Sequence, residues 1–104
     1  MFKDRFITAI HELIKVRVTF LSKEDGRNIT RFCAPMDYGP SRAAKNKDNR
    51  FHLWDFESDT RNHVLSLLSE QIINMQFTDE KFDPSEFITW NTNWIIARDW
   101  GRFS

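Results

Sequence analysis

Between Leu13 and Val16 the apolar residues of this chain change their spacing, and the change limits what the first third can become. Before it, Phe2, Phe6, Ala9, Ile10 and Leu13 recur every three or four positions, with Lys3, Asp4, Thr8 and Glu12 between them. Residues at that spacing share one side of an α-helix, so residues 2 to about 13 predict a short helix with a single apolar stripe. After it, Val16, Val18 and Phe20 alternate with Lys15, Arg17 and Thr19. Alternation sends successive side chains to opposite faces, and β-branched residues suit a pleated surface, so Lys15 to Leu21 predicts a strand. Ser22-Lys23-Glu24-Asp25-Gly26-Arg27 supplies an Asp-Gly turn. A second strand then runs from Asn28 to about Ala34, where Pro35 ends it, and residues 15–34 make a hairpin.

The rest of the chain is organised by its turn residues. Pro35 to Asn49 has two prolines, Gly39 and no sustained apolar period, which predicts a long surface loop. Arg50 to Phe56 resumes strand character, a polar turn over 57–62 follows, Val64 to Leu68 is a shorter apolar piece, and Ile72 to Phe77 reads as the last strand. Asp83-Pro84-Ser85-Glu86 combines a capping residue, a proline at the first helical position and an acid three residues after the cap, so a short C-terminal helix is expected there. Thr89, Asn91, Thr92 and Asn93 are poor helix formers and should end it. For Trp94 to Trp100 the pattern allows either a strand or a helical turn.

Chain length and composition set the outer bounds. With 104 residues there is room for one domain, since a second core would need roughly 50 residues of its own. Lys plus Arg and Asp plus Glu each number 15, so any basic surface must be local rather than global. A lone cysteine, Cys33, excludes an internal disulfide and sits in an apolar run, where it reads as a small buried hydrophobe. No leader, membrane span or lipidation pattern is visible, which gives the expectation of a cytoplasmic protein with no membrane role.

Five short strands, a leading helix and an aromatic segment predict a mainly β (α+β) domain. The expected form is a small, strongly bent antiparallel five-stranded sheet or barrel, whose closure would remove its exposed edges.

The candidate chemistry is binding rather than catalysis. Arg42, Lys45, Lys47 and Arg50 outnumber Asp48 within ten residues. Cations on a loop beside Tyr38, His52 or Trp54 could hold phosphates while a ring stacks on a base, as in nucleotide and single-stranded nucleic-acid sites. These seven residues are the candidate site. His11, His52 and His63 have no partner at metal-ligand spacing, and no phosphate loop or nucleophile arrangement occurs, so no catalytic residue, metal or cofactor is expected. On the strand from Arg50, His52, Trp54 and Phe56 share one face while Phe51, Leu53 and Asp55 share the other, and an inward Asp55 would need Arg31 or Arg17 as partner. Asp79, Glu80, Asp83 and Glu86 cluster against Lys81, either as acids do at a helix start or as a patch opposed to the basic loop that serves self-association or a polar partner. Phe82, Phe87, Trp90, Trp94 and Trp100 form an aromatic tail that either plugs the barrel or, where exposed, contacts a protein partner or a second copy.

The order of these residues resembles the WYL domain family. The hairpin turning at Asp25-Gly26, the strand ending at Pro35, the stretch Arg50-Phe51-His52-Leu53 and the later Glu70-Gln71-Ile72 follow the family's pattern over about residues 5–84. Phe51 and His52 stand where the family usually has Trp-Tyr, and Gln71 where it has a basic residue. The resemblance implies a stand-alone, Sm-like barrel with residues 85–104 as a C-terminal aromatic extension. It also implies a ligand-sensing or nucleic-acid-binding regulatory module, here expected without a winged-helix head, and the basic loop makes a nucleotide or short single-stranded nucleic acid the expected ligand.

Overall fold

The computed structural model describes all 104 residues. Helix α1 spans Lys3–Glu12 and is followed by five strands: β1 Ile14–Ser22, β2 Arg27–Pro40, β3 Asn49–Asp55, β4 Val64–Leu68 and β5 Ile72–Lys81. All neighbours pair antiparallel in the order β4-β3-β2-β1-β5. The expected helix, hairpin and mainly β character are present.

The apolar stripe of α1 buries Phe6, Ala9 and Ile10 on the inner face of the sheet. There Val16, Val18, Phe20, Cys33, Leu53, Leu67 and Met75 complete the core, and the Phe6 ring meets Phe51 edge-on at 5.0 Å. Leu13 ends the helix in the left-handed conformation, φ 60°, and its carbonyl then accepts from Phe82 N–H at 2.9 Å.

Three expectations are corrected. The sheet is open and not strongly bent: no ladder joins β4 to β5, so both remain edges. The reason is local, because β4 is only five residues long and the 3-10 turn Ser69–Gln71 redirects the chain onto the free side of β1. Next, β2 does not stop at Pro35 but continues to Pro40, which shortens the expected loop to residues 41–48. Pairing with β1 has already ended at Cys33, and the register against β3 shifts between Pro35 and Asp37. A proline at a bulge, with one side of its strand unpaired, breaks no ladder.

The C-terminal helix is likewise absent. Asp83 and Glu86 do form the expected capping pair, Asp83 accepting from Ser85 N–H at 2.9 Å and Glu86 from Asp83 N–H at 3.1 Å. The turn they cap covers only Pro84–Glu86. Beyond it the tail is neither strand nor helix until the 3-10 turn Gly101–Phe103. No helix is long and apolar enough to cross a membrane.

A groove between the outer sheet face and the tail

The shift at Pro35 decides which residues of β2 face outward. After it, Asp37 stands opposite His52, and His52 opposite Ser66, so these three polar residues form a row on the outer face of β2, β3 and β4. The tail lies over this row. Its backbone from residue 89 to 99 makes no main-chain hydrogen bond with another segment, so side chains must satisfy it.

One carboxylate does most of this. Asp37 accepts from the N–H of Ile95 and of Ile96, both at 2.9 Å, from Tyr38 N–H at 3.0 Å, and from Arg98 Nη2 at 3.3 Å. The Arg98 guanidinium is wholly buried, donates also to Ile96 O and Met36 O, and lies between the rings of Trp94 and Trp100 at 4.2 and 4.5 Å. Burial pushes the Arg98 pKa down to about 10, and the neighbouring Asp37 charge opposes that shift. The base remains charged at neutral pH, and Asp37 is its ion-pair partner. Gly39, at φ 154°, lets the tail come close: a Cβ there would stand 2.5 Å from Ile95 Cδ1.

Between tail and sheet runs a groove of about 410 Å3, within the size range of small-molecule sites. Its floor is His52, held by Ser66 Oγ at 2.8 Å and Gly39 O at 2.9 Å. Because a carbonyl can only accept, His52 Nε2–H donates to Gly39 O, which leaves Nδ1 to accept from the Ser66 hydroxyl in the neutral ring. Trp90, Trp94, Asn91 and Asn93 make the tail wall, and Arg42 stands at the loop side. Arg42 Nη2 donates to Asn93 O at 3.2 Å. The Asn93 amide, turned with its oxygen toward the guanidinium, accepts from Nη2 at 2.8 Å and Nη1 at 3.2 Å. Every oxygen that holds Arg42 is therefore neutral. By contrast Arg31, Arg98 and Lys15 each face a carboxylate.

The seven candidate residues separate in space. Arg42 and His52 line the groove. Trp54 lies beneath it, stacked on His63 at 4.8 Å, Phe87 at 5.1 Å and Trp90 at 5.9 Å. Tyr38 points to the other side of the sheet, against Phe51. Lys47 turns back on its own loop, donating to Ser41 O and Arg42 O at 3.0 and 3.1 Å. Arg50 donates to Ser66 O at 3.2 Å, and Lys45 is exposed outside the groove.

Two groove residues, Asn91 and Asn93, carry no site signal in the sequence, and Trp90 and Trp94 read there as a core plug or partner contact, not as the wall of a ligand groove. The signal that was there is Arg98: a lone cation after Trp94-Ile95-Ile96-Ala97 must find a buried acceptor, which would have tied this segment to an inner acid.

Two buried groups outside the groove are structural. Asp55 faces inward and pairs with Arg31, Nε to Oδ2 at 3.3 Å, while Glu57 N–H donates to its Oδ1 at 2.8 Å. Arg17 instead lies over the Phe32 ring on the outer face. Burial raises the pKa of Asp55, the Glu57 N–H and Arg31 opposing it. Cys33 is fully buried, and burial, aided by the negative charge of Asp55 and Glu57, pushes its thiol up, away from thiolate chemistry. No three His, Cys, Asp or Glu side chains gather as a metal site would require.

Comparison with protein-family models, curated proteins and solved structures gives no match for this chain. The functional reading rests on the groove itself.

Proposed function

We propose that this protein is a non-catalytic sensing or regulatory module, a divergent WYL-like domain, that binds an anionic, ring-bearing ligand of the nucleotide class in the groove between β2–β4 and the tail. The family reading is supported by the element order, with a leading helix, an Asp-Gly hairpin, the Arg50–Leu53 strand and a last strand entered at Ile72.

One observation carries the ligand class: Arg42 is held in place by neutral oxygens of Asn93, with no carboxylate to neutralise it, beside the rings of Trp90 and Trp94. A guanidinium fixed in this way keeps its full charge for an incoming phosphate or carboxylate, and indoles offer faces on which a base can stack. Basic-loop residues other than Arg42 play no direct part.

The test is titration of the folded protein with nucleotides and a short single-stranded oligonucleotide, followed by tryptophan fluorescence at low and high salt. Saturable, salt-sensitive quenching that Arg42→Gln removes is the expected result. A folded protein that binds none of these probes at low salt would overturn the proposal.

A further inference from the structure

We infer that the groove takes a single nucleoside monophosphate, in preference to a polyphosphate or a nucleic-acid strand. The inference rests on the reading above and narrows it. Only Arg42, of the four loop cations, reaches the groove. Lys47 is spent on two carbonyls of its own loop, and Arg50 is spent on Ser66 O with its Nε sealed from solvent and without a partner. Arg102 lines a different hollow on the far side of Trp90, and its guanidinium lies over Phe103 at 4.8 Å.

One fixed guanidinium, with the N–H groups that Asn93 does not take, matches the charge of one terminal phosphate. A second or third phosphate would find no cation, and a strand needs a basic track with repeated stacking platforms. The groove's one carboxylate, Asp37, does not repel the ligand, because Arg98 neutralises it and three backbone N–H groups occupy its oxygens. His52 and Ser66 are satisfied by each other and by Gly39. Asn91 keeps a side-chain donor and acceptor, and Asn93, whose amide oxygen holds Arg42, keeps its amide N–H donors, which is chemistry that reads the edge of a nucleobase. A base against Trp90 or Trp94, with its phosphate at Arg42, matches the one cation and the aromatic wall of the groove.

The deciding experiment is calorimetric titration of the full chain with adenosine and uridine monophosphates, adenosine triphosphate, adenosine, inorganic phosphate and a deoxyadenosine tetramer. A monophosphate should bind about tenfold or more tighter than adenosine or phosphate, and the triphosphate within about threefold of the monophosphate. Arg42→Gln should lose about tenfold or more for the monophosphate, while Lys45→Glu and Lys47→Glu, checked for native folding by circular dichroism, should change it by less than about threefold. Affinity that climbs about tenfold from mono- to triphosphate, or from monomer to tetramer, would overturn this inference and leave the nucleotide-class reading standing. Binding by none of the probes would sink both.

Discussion

Asp37 and Arg98 form a buried ion pair across the sheet-to-tail boundary, Oδ1 to Nη2 at 3.3 Å, with the arginine side chain at 0 % exposure. Removing one member of such a pair strands the other. Asp37→Ala leaves a dry guanidinium without its counter-charge and deprives two tail N–H groups, those of Ile95 and Ile96, of their carboxylate acceptor, so it should cost about 3–5 kcal/mol. Arg98→Met removes the costlier ion and leaves Asp37 with three N–H donors, and its loss should be nearer about 2 kcal/mol. Urea denaturation of both variants checks the order. Equal losses, or a larger one for Arg98→Met, would mean that the carboxylate is not what docks the tail.

Gly39 is the point of closest approach between β2 and the tail. Gly39→Ala adds a methyl that meets Ile95 Cδ1 at 2.5 Å and places a side chain at φ 154°. The expected loss is about 1–3 kcal/mol. Ile95→Ala in the same chain should return the steric part and leave the backbone part, a coupling that a double-mutant cycle reads directly. If the two substitutions are additive, the tail does not sit on Gly39 in solution.

Trp54 links the sheet to the tail through its stacked neighbours His63, Phe87 and Trp90. Trp54→Ala should cost about 3 kcal/mol, as other deletions of large packed aromatics do. Trp54→Phe, which keeps a ring in the stack, should cost only about 1 kcal/mol, and thermal unfolding separates the two.

The pH dependence of stability should carry the mark of Asp55. Burial raises its folded pKa above the ordinary carboxylate value, so the folded chain retains a proton that the unfolded chain has already released. The contribution is complete below the ordinary aspartate range and is lost as pH rises through the raised value. Thermal midpoints of wild type and Asp55→Asn, compared from about pH 3 to about pH 6, should show a wild-type excess that declines with pH. Asp83, whose carboxyl is lowered by the Ser85 N–H, contributes a slope of opposite sign, but it is common to both proteins and cancels in the difference. A difference that is flat or rising would remove Asp55 as the source.

How much of this could be read from the chain depended on whether the signal was local. The period change at residue 14, the Asp25-Gly26 turn and the alternation of Arg50 to Asp55 are local, and α1, the β1–β2 hairpin and the faces of β3 follow from them. That an inward Asp55 needs Arg31 or Arg17 is also legible, because a charge on an apolar face must be answered, and the structure selects Arg31. Pro35 misled, since it reads as a stop until the bulge and the missing β1 partner are known. The Asp83–Glu86 box was read correctly as a cap but capped a single turn, because no helical residues follow it. The groove depends on Asp37 meeting Ile95, Ile96 and Arg98 some 60 residues later, and no local pattern encodes that meeting. A basic cluster in sequence is likewise not a basic surface: of Arg42, Lys45, Lys47 and Arg50, only the first turns toward the groove.

The indole N–H of Trp100 donates to Ile10 O at 2.9 Å, ninety positions back along the chain. That carbonyl belongs to the last turn of α1, so the helix is finished by a residue synthesised long after it. Contacts of such long separation lose much loop entropy before they are rewarded, and they form late. Ile10 O has two donors, the local Leu13 N–H at 3.4 Å and the distant Trp100 indole, and the second ties the end of α1 to the far end of the described fold. Loss of the Trp100 indole would therefore loosen the contact between tail and helix without removing the local bond that ends α1.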